Sequence, residues 1–165
     1  MEMKSKLFIA LLIVLPVVMS CHSTKTQKEF VFDKAKVLDS MQFQKLNDLY
    51  IRHEKLTTNE LALLTTNSFA PVNTIEEYAH ERFNTLGLGK KDIDNGILIV
   101  FSPEMRQVRI ATGYGTERVL TDSIAKRIID SVMIPQFRRV NYFEGLWDGS
   151  LAITRFLEKP ENTIK

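Results

Sequence analysis

The sequence is short of cysteine and has no excess of charge of either sign. One cysteine, Cys21, serves 165 residues, so no internal disulfide can form. Neither a cysteine-based zinc site nor a thiol phosphatase loop has its ligands. With 22 basic and 20 acidic residues the formal charge is +2, which gives no grip on nucleic acid or another acidic polymer. The histidines, His22, His53 and His80, are scattered without zinc spacing, and the last two are expected on outward helix faces. There is no internal repeat or low-complexity tract, and no long apolar run follows the first twenty residues.

That first stretch is the exception. Lys4 and Lys6 lead into an apolar run from Leu7 to Met19, broken by Pro16. As a helix it would extend about 20 Å, short of a hydrocarbon core of about 30 Å. It has the make-up of a cleaved signal peptide over residues 1–20. Val18-Met19-Ser20-Cys21 matches a bacterial lipoprotein signal, in which the cysteine is lipidated. A free or intermolecularly bridged thiol is the other reading of a lone exported cysteine. A diacylglyceryl thioether with an amide-linked chain exceeds the two-anchor requirement for stable membrane attachment. Residues 21–29 then read as a polar tether. His22 after the cysteine points to the periplasmic face of the outer membrane in a Gram-negative envelope. Loss of Lys4, Lys6 and Glu2 with residues 1–20 takes the charge from +2 to +1. A domain over 30–158 follows, about 130 residues and enough for one core, and 159–165 is a C-terminal tail.

Within the domain, Phe30–Asp33 is a short apolar extended segment. Asp39 with Gln42 three residues on is a capping box, opening a helix with an apolar stripe of Phe43, Leu46, Leu49, Tyr50 and, less regularly, Leu56. Glu60–Thr66 has strand composition. Thr74 with Glu77 opens a second helix that faces inward with Ile75, Tyr78, Ala79 and Phe83, and Gly87 or Gly89 ends it. The strand, helix and following strand make a βαβ crossover, so Leu61–Thr65 and Ile97–Phe101 should lie parallel. A later helix starts at Thr121–Asp122, faces inward with Ile124, Ile128, Ile129 and Val132, and is stopped by Pro135. The last runs from Asn141 or Tyr142 to Leu157, burying Phe143, Leu146, Trp147, Leu151, Ile153 and Phe156. Core packing accounts for Phe137, Tyr142, Phe143 and Trp147 better than a partner surface does, and Arg138-Arg139 reads as solvated. The fold class is α/β: an α/β/α sandwich with a small mixed β-sheet, a βαβ crossover plus an antiparallel hairpin, flanked by about four helices.

The chain is organised around 94–122. Gly96–Phe101 is apolar throughout after its glycine, as in a strand buried on both faces. Gln107–Thr112 alternates, with Val108, Ile110 and Thr112 on one face. Ser102–Arg106 has turn composition, so the two strands form a hairpin. Centring the turn near Glu104 pairs Val100 with Arg109 and Gly96 with Gly113. Asp94 then lies opposite Gly115, about 5 Å away between backbones. The turn before the hairpin and the glycine loop after it therefore share one sheet end, and that end is the candidate site.

Oxygen donors collect there: Asp94, Asn95, Glu117 and Asp122, with Asp33 expected nearby. Calcium takes six to eight oxygens, and these side chains with loop carbonyls approach that number; magnesium is the alternative ion. Asp94-Asn95-Gly96 is equally an ordinary turn, Asp122 or Thr121 an ordinary N-cap, and Glu117 plain surface. The helix beginning near Thr121 aims its positive end at the same place. That suits an anion held by Gly113, Tyr114, Gly115 and Arg118. Carboxylates and an anion coexist only across a bridging cation, the form of a metal-assisted phosphatase. Gly113-x-Gly115-x-x-Arg118 lacks the third glycine of a dinucleotide fingerprint, so no nucleotide is expected, and no zinc. No acid–base pair or activated nucleophile is visible, which favours binding over catalysis.

An ordered set of short motifs carries a resemblance. Asp33 with Val37-Leu38, Ile75-Glu76-Glu77-Tyr78-Ala79, Gly87-Leu88-Gly89, Asp94-Asn95-Gly96, Gly113-Tyr114-Gly115-x-Glu117, Leu120-Thr121-Asp122, Pro135-x-Phe137-Arg138, Tyr142 and Gly145-Leu146 occur in the order seen in TPM domains. The chain resembles that family over nearly all of 30–157. The resemblance implies an α/β/α sandwich held at a membrane and facing the lumen, periplasm or exterior. Plant thylakoid members are called acid phosphatases and bind calcium; others resemble assembly, repair or receptor-associated factors. It thus implies a binding or assembly role beside membrane protein complexes, calcium-dependent or not, with a phosphomonoesterase at the Asp94/Asp122 end and a purely structural envelope lipoprotein as alternatives. This chain has Leu86 where the family usually has Trp, and Ala111-Thr112 where an acidic residue usually precedes Gly-Tyr-Gly. The glycine-rich membrane-spanning tail of many bacterial relatives is replaced here by the expected N-terminal lipid.

Overall fold

The structure is a computed structural model and describes residues 28–164. The expected signal peptide, lipidated Cys21 and most of the tether lie outside the described residues. No helix among the described residues is long and apolar enough to cross a membrane.

Four strands form one mixed sheet in the order β1-β2-β3-β4: β1 (Val31–Asp33), β2 (Glu60–Thr65), β3 (Gly96–Ser102) and β4 (Gln107–Thr112). The first three are parallel and β4 is antiparallel to β3. β3 is buried at every position, as its unbroken apolar run required. The hairpin register agrees with the pairing arithmetic. Val100 lies opposite Arg109, and the Gly113 N–H donates to the Gly96 carbonyl at 3.0 Å. The segment at Phe30–Asp33 proves to be a true strand, pairing Val31 with Leu63 and Asp33 with Thr65.

Helix α1 (Ser40–Thr57) opens with the full capping box of Asp39 and Gln42. Leu46, Leu49 and Tyr50 are buried from it, while Leu56 is 67% exposed. His53, expected on the outward face, is fully buried, and its Nδ1 meets Glu158 Oε1 at 3.2 Å. It stands three residues after Tyr50 and seven after Leu46, so helical spacing puts it in the inward stripe whatever its polarity. Helix α2 (Ile75–Leu86) begins at the Thr74 cap and ends at Gly87, whose φ of +60° suits glycine.

The two helical layers sit on opposite faces of the sheet. Phe83 of α2 approaches Gly96, and Glu76 reaches Arg109, both on one pleat face. On the other face Phe101 stacks on Phe137 with ring centroids 4.3 Å apart. That face also carries α1 and α6 (Tyr142–Leu157), joined by a buried Tyr50–Ser150 hydroxyl contact of 2.6 Å. Burial pushes the Tyr50 phenol well up, only partly opposed by Ser150.

Between β4 and α6 come a single turn, α3 (Tyr114–Glu117), then α4 (Asp122–Ile128), a π-helical turn over Ile129–Met133, and α5 (Ile134–Phe137). Two expectations fail here together. Pro135 does not stop the helix; it sits in the first turn of α5, where a missing N–H costs nothing. The wider π turn also moves the inward position one residue along, so Met133 is fully buried and Val132 is not. Met133 and Phe137 fit against α6 because positions 149 and 145 are glycine: a Cβ would stand 2.6 Å from Met133 Cγ and 2.3 Å from Phe137 Cε1. The sandwich expected from the sequence is therefore the fold observed.

Candidate functional site

Asp94 and the glycine loop do meet. Asp94 holds a left-handed backbone, φ +51°, a conformation that Asp tolerates better than most residues. Its carbonyl accepts the Gly115 N–H at 3.1 Å, and its Oδ2 accepts the Tyr114 N–H at 2.8 Å. The approach is so close that only glycine fits opposite. A Cβ at position 113 would lie 2.5 Å from Asp94 Oδ1, and one at 115 would lie 1.9 Å from the Ile93 carbonyl. These contacts bear on both chemistries expected here. The N–H groups of Tyr114 and Gly115, which would have cradled an anion, are already bonded to Asp94. The Asp94 carboxylate is the cap of α3.

Asn95 faces the other way. It is fully buried; its Oδ1 accepts the Lys90 N–H at 2.8 Å. Its Nδ2 donates to the Thr58 carbonyl at 3.0 Å and to Asn59 Oδ1 at 3.0 Å. With both ends of the amide satisfied, Asn95 ties the α2–β3 loop to the α1–β2 loop and offers nothing to a ligand. Beside it lies an ion network that sequence reading missed. Glu60 Oε1 is 2.7 Å from both Lys28 Nζ and Lys90 Nζ, and its Oε2 accepts the Gly89 N–H at 2.8 Å. Burial alone would raise the Glu60 carboxyl; the two ammonium groups and the Gly89 N–H reverse this and bring it down to about 2. Lys90 is raised in turn by Glu60 and Glu54. A glutamate opening an otherwise apolar strand was the one sequence signal of this network.

One of the expected donors, Asp33, is not brought to Asp94. Asp33 ends β1 beside Thr65, which pairs with Phe101, so it stands at the opposite end of the sheet from Gly96. There its carboxylate accepts the Val37 N–H at 3.2 Å, the Leu38 N–H at 3.0 Å and the Thr65 hydroxyl. Glu117 and Arg118 are exposed. Asp122 lines a separate groove. Among the described residues, no three His, Cys, Asp or Glu side chains form a group able to hold a metal ion. The donors present therefore do not fit the calcium or magnesium site that the family implies, and no chemistry is routed through one.

That groove encloses about 1010 Å³. It follows the outer edge of β4 from Arg106 to Ile110, with Ile75 on one side and the α4–α5 segment on the other. Phe101, Val108, Ile129 and Phe137 give it an apolar floor, and on its rim the four cations Arg106, Arg109, Lys126 and Arg138 outnumber the two carboxylates Asp122 and Asp130. By sequence Phe137 belongs to the core and Arg138 to the surface. Each description is correct singly; only the fold sets them along one open strand.

Among solved structures, the N-terminal domain of a protein from P. gingivalis is similar at 32% identity and TM-score 0.75, over 84% of this chain and 88% of that one. The BA42 protein of the psychrophilic bacterium Bizionia argentinensis follows at 22% identity and TM-score 0.64, over 78% of this chain and 94% of that one. The N-terminal domain of the cg2496 protein from Corynebacterium glutamicum shares 14% identity and TM-score 0.59, over 83% and 82% of the two chains. The last two likenesses concern the fold alone. No curated protein matches. The model of the TPM domain matches residues 31–156, a span that takes in every strand, the Asp94 clamp and the β4 groove, and the chain belongs to that family.

Proposed function

We propose that this TPM domain is a binding module of the cell envelope, held at the periplasmic face of a membrane through lipid on Cys21, and that it does not hydrolyse phosphate esters. The contrast between its two polar regions carries the reading. At the Asp94 end the donors are bonded to one another: Asp94 to Tyr114 and Gly115, Asn95 to Lys90, Thr58 and Asn59. Such closed networks rigidify a fold and leave no nucleophile or acid–base pair for chemistry. The β4 groove, by contrast, joins an apolar floor to an incompletely paired cationic rim, the usual composition of a recognition surface.

The assay is a chromogenic phosphate ester offered to the full chain with and without millimolar calcium or magnesium. Turnover no faster than that of the Asp94→Ala and Asp122→Ala variants is expected. Metal-dependent turnover lost in those variants would establish the phosphatase instead. Anchoring is checked separately by fatty-acid labelling in a bacterial host, where Cys21→Ser should abolish both the label and recovery in the membrane fraction.

A further inference from the structure

We propose that the open edge of β4 takes up an extended, acidic segment of a partner protein as a fifth strand, its side chains entering the groove alongside. The inference rests on reading the domain as a binding module and names what it binds.

The backbone supplies the first argument. The Gly113 N–H reaches Gly96 at 3.0 Å and the Gly115 N–H reaches Asp94 at 3.1 Å. In an antiparallel ladder hydrogen-bonded pairs recur every second residue, so Ala111, Arg109 and Gln107 are the β4 residues bonded to β3. The N–H and C=O groups of Val108, Ile110 and Thr112 therefore point away from β3, and none has a hydrogen-bond partner among the described residues. β4 is the last strand of the sheet, and neither a proline nor a bulge interrupts it. Unblocked edges of this kind are templates for strand addition.

The groove supplies the second. An added strand turns alternate side chains to opposite faces, and the groove straddles the edge, with Ile129 and Phe137 on one side and Ile75 on the other. It accompanies β4 over Arg106–Ile110, room for about five residues at roughly 3.3 Å each.

Charge selects the partner. Lys126 is paired with Asp130 at 2.7 Å and Arg109 with Glu76 at 3.4 Å. Arg106 and Arg138, both exposed where β4 begins, have no carboxylate partner among the described residues. An incoming segment with Asp or Glu at that end meets two unpaired guanidinium groups; one with Lys or Arg there is repelled.

The test uses the isotope-labelled chain and three synthetic peptides of alternating valine and threonine. One ends in two glutamates, one in two lysines, and one carries the glutamates but has a central proline. The glutamate peptide is expected to shift the amide signals of Val108, Ile110 and Thr112 and slow their hydrogen exchange. The lysine peptide should bind about tenfold more weakly, as should the glutamate peptide to an Arg106→Ala/Arg138→Ala double variant, whose altered side chains are exposed. The proline peptide, which cannot complete the ladder, should leave the three amides unchanged. The proposal is overturned if those amides ignore the glutamate peptide up to millimolar concentration, or if the lysine peptide binds as well. It is also overturned if they are already protected in a concentration-dependent dimer, which would make the occupant a second copy. None of these outcomes bears on phosphate-ester turnover, so a failure here is distinct from a failure of the binding-module reading.

Discussion

Glu60→Gln should flatten the acid side of the stability curve. The Glu60 side chain is 7% exposed and carries two ammonium contacts at 2.7 Å. Its carboxyl is drawn from 4.5 down to about 2 in the folded chain, where burial alone would have raised it. Because the folded value is depressed, the unfolded chain takes up the proton first as acid is added. The stabilisation is therefore complete above about pH 4.5 and drains away as the pH falls toward about 2. At about 1.4 kcal/mol per pH unit, the shift sets a ceiling of about 3 kcal/mol. Lys28 and Lys90 are 50% and 41% exposed, so water and salt screen the pairs, and about 1–2 kcal/mol is the expected contribution at neutral pH. The assay is urea unfolding of both proteins at pH 7 and pH 3, followed by circular dichroism. Wild type should exceed the variant by about 1–2 kcal/mol at pH 7 and lose more than half of that margin at pH 3. His53 does not confuse the comparison. Burial lowers its folded pKa despite Glu158, so its contribution holds above about pH 6.5 and is lost below, equally in both proteins. An equal margin at pH 7 and pH 3 would refute the reasoning and reduce Glu60 to a packing residue.

Three further outcomes test the closed networks. Asp94→Asn keeps an acceptor and tolerates φ +51°, so it should be near neutral; Asp94→Ala should cost about 1–2 kcal/mol and speed exchange of the Tyr114 amide, read by NMR. Asn95→Ala leaves the Lys90 N–H and the buried Asn59 Oδ1 without their partner, and should cost about 2–3 kcal/mol in urea unfolding without altering any binding at β4. Gly115→Ala drives a Cβ to 1.9 Å from the Ile93 carbonyl. It should destabilise by about 1–3 kcal/mol, with amide shifts concentrated at Ile93, Asp94 and Tyr114.

Much of this fold was legible because its signals are local. The hairpin register follows from one short turn, and both helix N-caps follow from residues three apart, Asp39 with Gln42 and Thr74 with Glu77. What failed to read depends on distance or on backbone shape. Lys28, Glu60 and Lys90 are 30 or more residues apart in sequence, and nothing in any one segment announces their meeting. The π turn has no composition of its own, so the inward stripe was carried to Val132 when Met133 holds it. By sequence Asn95 is an oxygen donor beside Asp94; only the Thr58–Asn59 loop, more than 30 residues earlier, decides that its amide points in. The meeting of Asp94 with Tyr114 and Gly115 follows from the hairpin register, but spacing tells which groups meet and not whether they already satisfy one another.

The fastening of Lys28 has a mechanical consequence. The polypeptide ahead of this residue joins the domain where Lys28 grips Glu60 and the Phe30 N–H is held by Asn47 Oδ1 at 2.8 Å. Tension arriving along the backbone from that side meets these contacts before it reaches β1. β1 lies parallel to β2, so a pull along its axis would load their shared hydrogen bonds in shear, together and not one after another. A domain tugged from its N-terminal side would thus take the strain at its first strand and leave the far edge, β4, undisturbed.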